Sequence, residues 1–200
     1  MPQSNCGNPC LMGKMKIILA SASPRRKEIL SEIVRDFEIV PSGADESGII
    51  AQTPAETARL LATVKAESVF ALHNDAIVLG ADTVVAFNGE ILGKPTDAED
   101  AFRTLSRLSG KDHEVYTGWC ILGKGIRKSG FVKTKVWFNV LDESFIRSYI
   151  QSGRAFDKAG SYGIQDDERF AAKIDGSLTN VIGLPSEEIE KQFRSLGIIK

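Results

Sequence analysis

Lys16-Ile17-Ile18-Leu19-Ala20-Ser21-Ala22-Ser23-Pro24-Arg25-Arg26 is the stretch that decides the fold. A short apolar run reads as a buried strand. A turn of small residues follows, and Ser23-Pro24 supplies an N-cap and a first helical residue. Ile29, Leu30, Ile33 and Val34 then recur at helical spacing, and Phe37 to Val40 reads as a second strand. A strand, a tight turn and a helix opening the domain are the first unit of an alternating α/β chain.

The pattern continues downstream. Thr53-Pro54-Ala55-Glu56 is a capping box with Pro at the first helical position, predicting a helix to about Leu72. Ala76 to Leu79 reads as a strand leading into Gly80-Ala81-Asp82-Thr83-Val84-Val85. Asn88-Gly89 between apolar segments is a two-residue hairpin signal. Thr96 and Glu99 suggest a second capping box, for a helix ended by Gly110. His113 to Leu122 and Phe131 to Val140 are β-rich, joined by the glycine-rich Gly123 to Gly130. Asp142 caps a helix carrying Phe145, Ile146, Tyr149 and Ile150. Residues 154–167 read as loop, Ala171 to Ile174 as a strand, and Ser186 to Leu196 as a terminal helix. The expected fold is α/β, with a mixed sheet flanked by helices.

Composition narrows the class. The chain has 200 residues, 42% hydrophobic and 26% charged, with 25 Lys and Arg against 26 Asp and Glu. A net charge of −1 argues against a nucleic-acid-coating surface, although the two signs can still segregate into a basic pocket. No apolar run reaches the ~20 residues that cross a bilayer. Residues 1–14 read as a disordered extension, neither a secretory signal nor a transit peptide. Three cysteines make no disulfide framework. Cys6 and Cys10 lie in the polar tail, and Cys120 in an apolar stretch reads as a small core residue. A reducing, cytoplasmic setting is expected.

Five places carry candidate chemistry. In Ser21 to Arg26, two arginines in a first helical turn oppose the helix dipole, which suggests an anionic ligand; two solvated arginines are the alternative. Asp82 sits where an apolar strand is expected to end, a common place for a functional acid; a turn Asp bonded to backbone is the alternative. The haloacid dehalogenase pattern needs a nucleophilic Asp two residues earlier, where Gly80 stands. Lys94 lies in the tight loop Gly93-Lys94-Pro95. Asp157-Lys158-Ala159-Gly160-Ser161-Tyr162-Gly163-Ile164-Gln165 offers close backbone approach, a flat Tyr162 ring and the Gln165 amide. Glu46 follows Asp45 in a polar loop. His73 reads as a helix-end residue and His113 as structural. There is no Ser/His/Asp or Cys/His arrangement, no Walker-type loop and no His-rich metal motif.

Seven segments stand in order: Ser-Ala-Ser-Pro-Arg-Arg (21–26), Arg-Leu-Leu-Ala-Thr-Val-Lys-Ala (59–66), Gly-Ala-Asp-Thr-Val-Val (80–85), Leu-Gly-Lys-Pro (92–95), Ser-Gly with His and Tyr-Thr-Gly (109–118), Asp157 to Gln165, and Asn-Val-Ile-Gly-Leu-Pro (180–185). Together they strongly resemble the Maf family of nucleotide pyrophosphatases, over residues 15–200 as a single domain. The resemblance implies a two-lobed α/β fold with a deep cleft, like the inosine triphosphate pyrophosphatases, and a homodimer. It implies Mg²⁺- or Mn²⁺-dependent hydrolysis of nucleoside triphosphates to monophosphate and pyrophosphate. Carried over by residue, the catalytic acid falls on Asp82. Substrate-binding positions fall on Ser21, Arg25, Arg26, Lys65, Thr83, Lys94 and Gln165, and the metal on Asp82 with Glu46. Asp82 either binds the metal or orients and deprotonates the attacking water; the sequence leaves both open. The Asp157–Gln165 motif resembles the dTTP/UTP branch, and one Gln amide complements both the N3–H donor and the O4 acceptor of uracil or thymine. Arg25 and Thr83 are further specificity positions. The pattern is broken at Asp166, where a small residue is expected. No nucleic acid or membrane partner is expected. The alternative is a nucleotide-binding regulator of division or septation with little catalysis; it requires a lost catalytic acid, and Asp82 is present.

Overall fold

The computed structural model describes residues 15–200, so the expected disordered extension at 1–14, with Cys6 and Cys10, lies outside the described residues. In chain order the elements are β1 (Ile17–Leu19), α1 (Pro24–Ile33), β2 (Glu38–Ile39), α2 (Pro54–Phe70), β3 (Ile77–Phe87), β4 (Glu90–Leu92), α3 (Ala98–Leu108), β5 (Asp112–Gly123), β6 (Ile126–Phe138), α4 (Glu143–Gln151), β7 (Ala171–Asp175), α5 (Leu178–Ile182) and α6 (Ser186–Ser195), with one 3-10 turn at Ala159–Ser161. The strands form one seven-stranded mixed sheet in the order β2-β1-β3-β5-β6-β7, with β4 also on β3. β1 runs parallel to β2 and β3, and the other pairings are antiparallel.

Side-chain alternation along β1 and β3 sorts the core by face. Leu19, Leu79 and Ala81 pack with Ile29 and Leu30 of α1 and Ile189 and Phe193 of α6. Ile18, Ala20, Val78 and Cys120 pack under Ala66 and Val69 of α2. Burying each of the larger side chains contributes roughly 1.5–3 kcal/mol. A third core joins Val85, Phe87 and Leu92 to Leu105 and Leu108 of α3, Phe145 and Tyr149 of α4, Tyr162 and Phe170. It builds the second lobe.

Sequence and structure differ at four informative points. First, the two expected strands around Gly80 are one unbroken 11-residue strand, so Asp82 sits at its middle and not at a strand end. Gly80 is there because α2 lies directly on it: a Cβ would come within 2.3 Å of the Ala62 carbonyl oxygen. Second, β6 begins at Ile126, not Phe131, because Lys124 and Gly125 suffice for the turn. Gly130 belongs to the strand, where it makes room for the Trp119 ring, 2.7 Å from its would-be Cβ. Third, α3 is capped by Asp97, whose Oδ1 accepts from Asp100 N–H at 2.8 Å, and Thr96 instead donates its N–H to Asp100 Oδ2 at 3.0 Å. Fourth, the 180–185 segment opens inside the short helix α5, which Ser177 caps and Gly183 ends. The other caps are as expected: Ser23 accepts from Arg26 N–H, Thr53 from Glu56 N–H and Asp142 from Phe145 N–H. Asn88 and Gly89 have φ of 52° and 80°, as a two-residue hairpin turn demands.

Candidate functional site

The sheet itself opens the site. On one edge of β3, β1 pairs with residues 77–79 and β4 with residues 85–87. Among the described residues no strand pairs with Gly80 to Val84 on that edge. The chain leaving the carboxyl end of β1 turns away there, which is where ligands enter α/β sheets. A cleft of about 460 Å³ occupies the place. Ser21 to Arg26, Ser42 and Glu46 line one side, Lys94 and the 157–165 segment line the other, and Asp82 and Thr83 line it between them. Every position suggested by the sequence reading lines this one cleft: Ser21, Arg25, Arg26, Glu46, Lys65, Asp82, Thr83, Lys94 and Gln165.

Helix α2 delivers Lys65. Asp82 pairs in the sheet with Gly118, and a Cβ on Gly118 would lie 2.1 Å from the Ala58 carbonyl oxygen. Glycines at 80 and 118 and alanines at 58, 62 and 66 therefore seat the helix against the strands. Lys65, three residues beyond Ala62, comes down over the acid. Its ammonium pairs with Asp82 Oδ1 and, at 3.1 Å, with Glu46 Oε2. The Lys65 and Asp82 side chains are only 13% and 14% exposed, so this pair is largely shielded from solvent. Glu46 is presented by a loop tied to α2 through Ser42 Oγ and Ser68 Oγ, 3.1 Å apart. The loop is held again by Ala51 N–H on Thr57 Oγ1, at 3.0 Å.

Arg26 turns back from the first turn of α1. Its Nε donates to the Gly183 carbonyl at 2.8 Å, Nη1 to Ser21 Oγ at 3.1 Å and Nη2 to Thr83 Oγ1 at 3.2 Å. Two of the five guanidinium N–H donors remain for a ligand. Burial lowers its pKa, and the Asp82 charge opposes that. The support continues inward. Thr117 Oγ1 donates to the Asn180 carbonyl at 2.7 Å, so in the 3.0 Å contact between Thr83 and Thr117 the proton belongs to Thr83. Thr83 therefore receives from Arg26 and gives to Thr117. It lines the cleft and holds the arginine, and its hydroxyl proton is given to Thr117.

Arg25 reaches across the cleft mouth to Asp157 Oδ2 at 3.1 Å. Asp157 also receives Lys158 Nζ at 2.7 Å. Burial works against the Asp157 charge, but the bonds from Lys158 and Arg25 outweigh it and hold the carboxyl below the usual carboxylate range. Lys94 is exposed at the rim with no ion-pair partner among the described residues. Five cations (Arg25, Arg26, Lys65, Lys94, Lys158) face three acids (Glu46, Asp82, Asp157) in the lining. The balanced whole-chain charge thus segregates, and the cleft favours an anion.

Some readings change. The Tyr162 ring is buried against Phe138 and Phe170, and its hydroxyl lies 2.7 Å from His113 Nε2. It is chiefly an anchor of the second lobe, with only part of it reaching the cleft wall. His113 is structural, as read, and burial lowers its pKa to about 4. Cys120 is fully buried, as read. The sequence offers Asp157 and Lys158 only as part of the 157–165 motif and gives no sign of the Thr117–Asn180 relay, because only the folded chain brings Asn180 against Thr117, Val115 and Thr134.

Fold and cleft define an α/β protein with a cationic, anion-accepting cleft over a shielded acid. The Maf-like protein family model matches residues 16–196, and the chain belongs to that family. The chain is 50% identical over 183 residues to the dTTP/UTP pyrophosphatase of Thermococcus kodakarensis, covering 90% of this chain and 96% of the relative. It is 46% identical over 186 residues to the dTTP/UTP pyrophosphatase of Carboxydothermus hydrogenoformans, covering 92% and 100%. Among solved structures it is similar to a HAM1 protein from Coxiella burnetii, at TM-score 0.49 and 15% identity over 90% of this chain and 99% of that one. It is also similar to the Ham1 protein of Staphylococcus aureus, at TM-score 0.45 and 17% identity over 64% and 72%. No described helix is long and apolar enough to cross a membrane.

Proposed function

We propose that this chain hydrolyses nucleoside triphosphates, dTTP and UTP foremost, to the monophosphate and pyrophosphate. The observation that carries the reading is a cationic cleft with the Lys65–Asp82–Glu46 cluster at one place and the Gln165 amide at another. The names of the Thermococcus and Carboxydothermus relatives support the substrate. Hydrolysis at the α-phosphorus needs positioning and charge stabilisation more than covalent chemistry. Arg25, Arg26, Lys65 and Lys94 neutralise phosphate oxygens and the departing pyrophosphate. Arg26 is already fixed by Gly183, Ser21 and Thr83, so it does so without reorganising. Asp82 orients the attacking water and takes its proton. When phosphate arrives, Lys65 exchanges one of its two carboxylate partners for a phosphate oxygen.

A divalent ion fits the donor set. Asp82 and Glu46 are hard oxygen donors that converge on one cation, the Lys65 ammonium, and Mg²⁺ is held by one or two carboxylates plus substrate phosphates. Mg²⁺ or Mn²⁺ held by these two residues would add charge neutralisation on the phosphates. Cytoplasmic residence and a homodimer belong to the same proposal, and sedimentation of the purified chain tests the dimer. The presence of Asp82 stands against a purely regulatory protein.

The deciding experiment incubates purified protein and Mg²⁺ with UTP, dTTP, CTP, GTP and 7-methyl-GTP, resolving pyrophosphate from orthophosphate. Pyrophosphate with UMP or dTMP is the expected result. Orthophosphate as the first product, or no turnover of any triphosphate, overturns the proposal.

A further inference from the structure

We propose that Asp166 is a positioning residue that fixes the orientation of the Gln165 amide and so makes the site discriminate uracil and thymine from cytosine. The inference rests on the pyrimidine-nucleotide reading above. Gln165 lines the cleft, and its Nε2 donates to Asp166 Oδ1 at 3.2 Å. A carboxylate only accepts, so the nitrogen of the amide must face Asp166 and the oxygen must point elsewhere.

The carboxylate is itself held in place. Its side chain is 14% exposed. The Tyr149 hydroxyl donates to Oδ2 at 2.7 Å while receiving the Gly163 N–H at 3.0 Å, and Lys158 Nζ lies 3.4 Å from the same Oδ2. Gly163 makes the arrangement possible: a Cβ there would stand 2.6 Å from Asp166 Oδ2 and 2.7 Å from Lys158 Cε. The small residue expected at 166 is thus replaced by an acid that the packing accommodates and supplies with donors.

The chemistry gives this a consequence. Uracil and thymine present N3–H as donor and O4 as acceptor. Cytosine presents N3 as acceptor and its exocyclic amine as donor. A free Gln amide reads either edge after a half-turn about its last bond. With Asp166 in place the half-turn sets the amide oxygen against a carboxylate oxygen, which is repulsive and leaves both without a proton.

The test measures kcat/KM for UTP and CTP, in wild type and in Asp166→Ala, Asp166→Asn and Tyr149→Phe. Asp166→Ala is expected to lower the UTP-to-CTP ratio about tenfold, through a higher KM for UTP and a lower one for CTP, with kcat at saturating UTP little changed. Asp166→Asn keeps its one oxygen under the Tyr149 hydroxyl and the Lys158 ammonium, turns its amide nitrogen toward Gln165, and so favours the flipped amide; it is expected to lower the ratio at least as far as Asp166→Ala. Tyr149→Phe removes the hydroxyl that donates to Asp166, and with it the acceptor of the Gly163 N–H, and is expected to lower the ratio by a smaller factor; it carries the test should Asp166→Ala not fold. A wild type that prefers UTP, with the ratio unmoved by Asp166→Ala or by Tyr149→Phe, overturns the inference and leaves the functional reading standing. A wild type inactive on every pyrimidine triphosphate overturns both.

Discussion

Lys65 on α2 and Asp82 at the middle of β3 form an ion pair in the cleft, with Glu46 as a second carboxylate on the same ammonium. The pair joins helix packing to chemistry, because the glycines that seat α2 also bring the lysine onto the acid. Replacing Asp82 by Asn keeps the shape, leaves Lys65 paired with Glu46 and removes the proton acceptor. Turnover of UTP is expected to fall on the order of a thousandfold, with the unfolding midpoint in urea nearly unchanged. Pyrophosphate release at a near-normal rate would rule out Asp82 as the base. Chelation of divalent ions is expected to abolish turnover in wild type; full activity in excess chelator would remove the metal from the proposal.

The close seating of α2 has its own test. Gly118→Ala places a methyl group 2.1 Å from the Ala58 carbonyl oxygen, and neither backbone can yield without shifting the helix. Stability is expected to fall by about 1–3 kcal/mol, and kcat with it, as Lys65 moves relative to Asp82. Gly125→Ala is the control: its φ of +75° strains the turn, but its Cβ meets nothing and the cleft is distant, so kcat should hold. Equal kcat for both variants would show that the helix seat does not set the active geometry.

Acid sensitivity follows from His113. Burial lowers its pKa from 6.5 to about 4 in the folded protein, so between those values the unfolded chain binds the extra proton. Its contribution is fully present above pH 6.5 and is lost as pH falls toward 4, amounting to roughly 3 kcal/mol across the window. Urea unfolding from pH 7 to 4 should show a steeper loss in wild type than in His113→Gln. Parallel profiles for the two proteins would assign the acid sensitivity to other groups.

Gln165→Glu replaces the amide nitrogen with an oxygen against Asp166, so two carboxylates face each other and the donor to O4 disappears. The kcat/KM for UTP is expected to fall on the order of a hundredfold, with Mg²⁺ dependence retained. Unchanged kcat/KM for UTP would exclude base reading by this residue.

The sequence alone determined the local grammar of this protein. Ser23-Pro24, Thr53-Pro54 and Asp142 announce helices because their side chains cap free N–H groups within three residues. Asn88-Gly89 announces a hairpin because both residues accept positive φ. The order of the Ser21–Arg26, Gly80–Val85 and Asp157–Gln165 motifs sufficed to nominate the lining of one cleft. Gly80 and Gly130 look locally like interruptions, yet each is a strand residue emptied of side chain to admit Ala62 or Trp119. Such a reason lies in a partner far along the chain, so local pattern cannot reveal it. Only the tertiary structure decided that β1 and β4 leave residues 80–84 of β3 without a strand beside them, and that α2 descends there with Lys65. It also decided that Arg26 is braced through Thr83, Thr117 and Asn180, and that Asp166 fixes an amide in place, because a hydrogen bond between distant residues exists only once packing has set both ends.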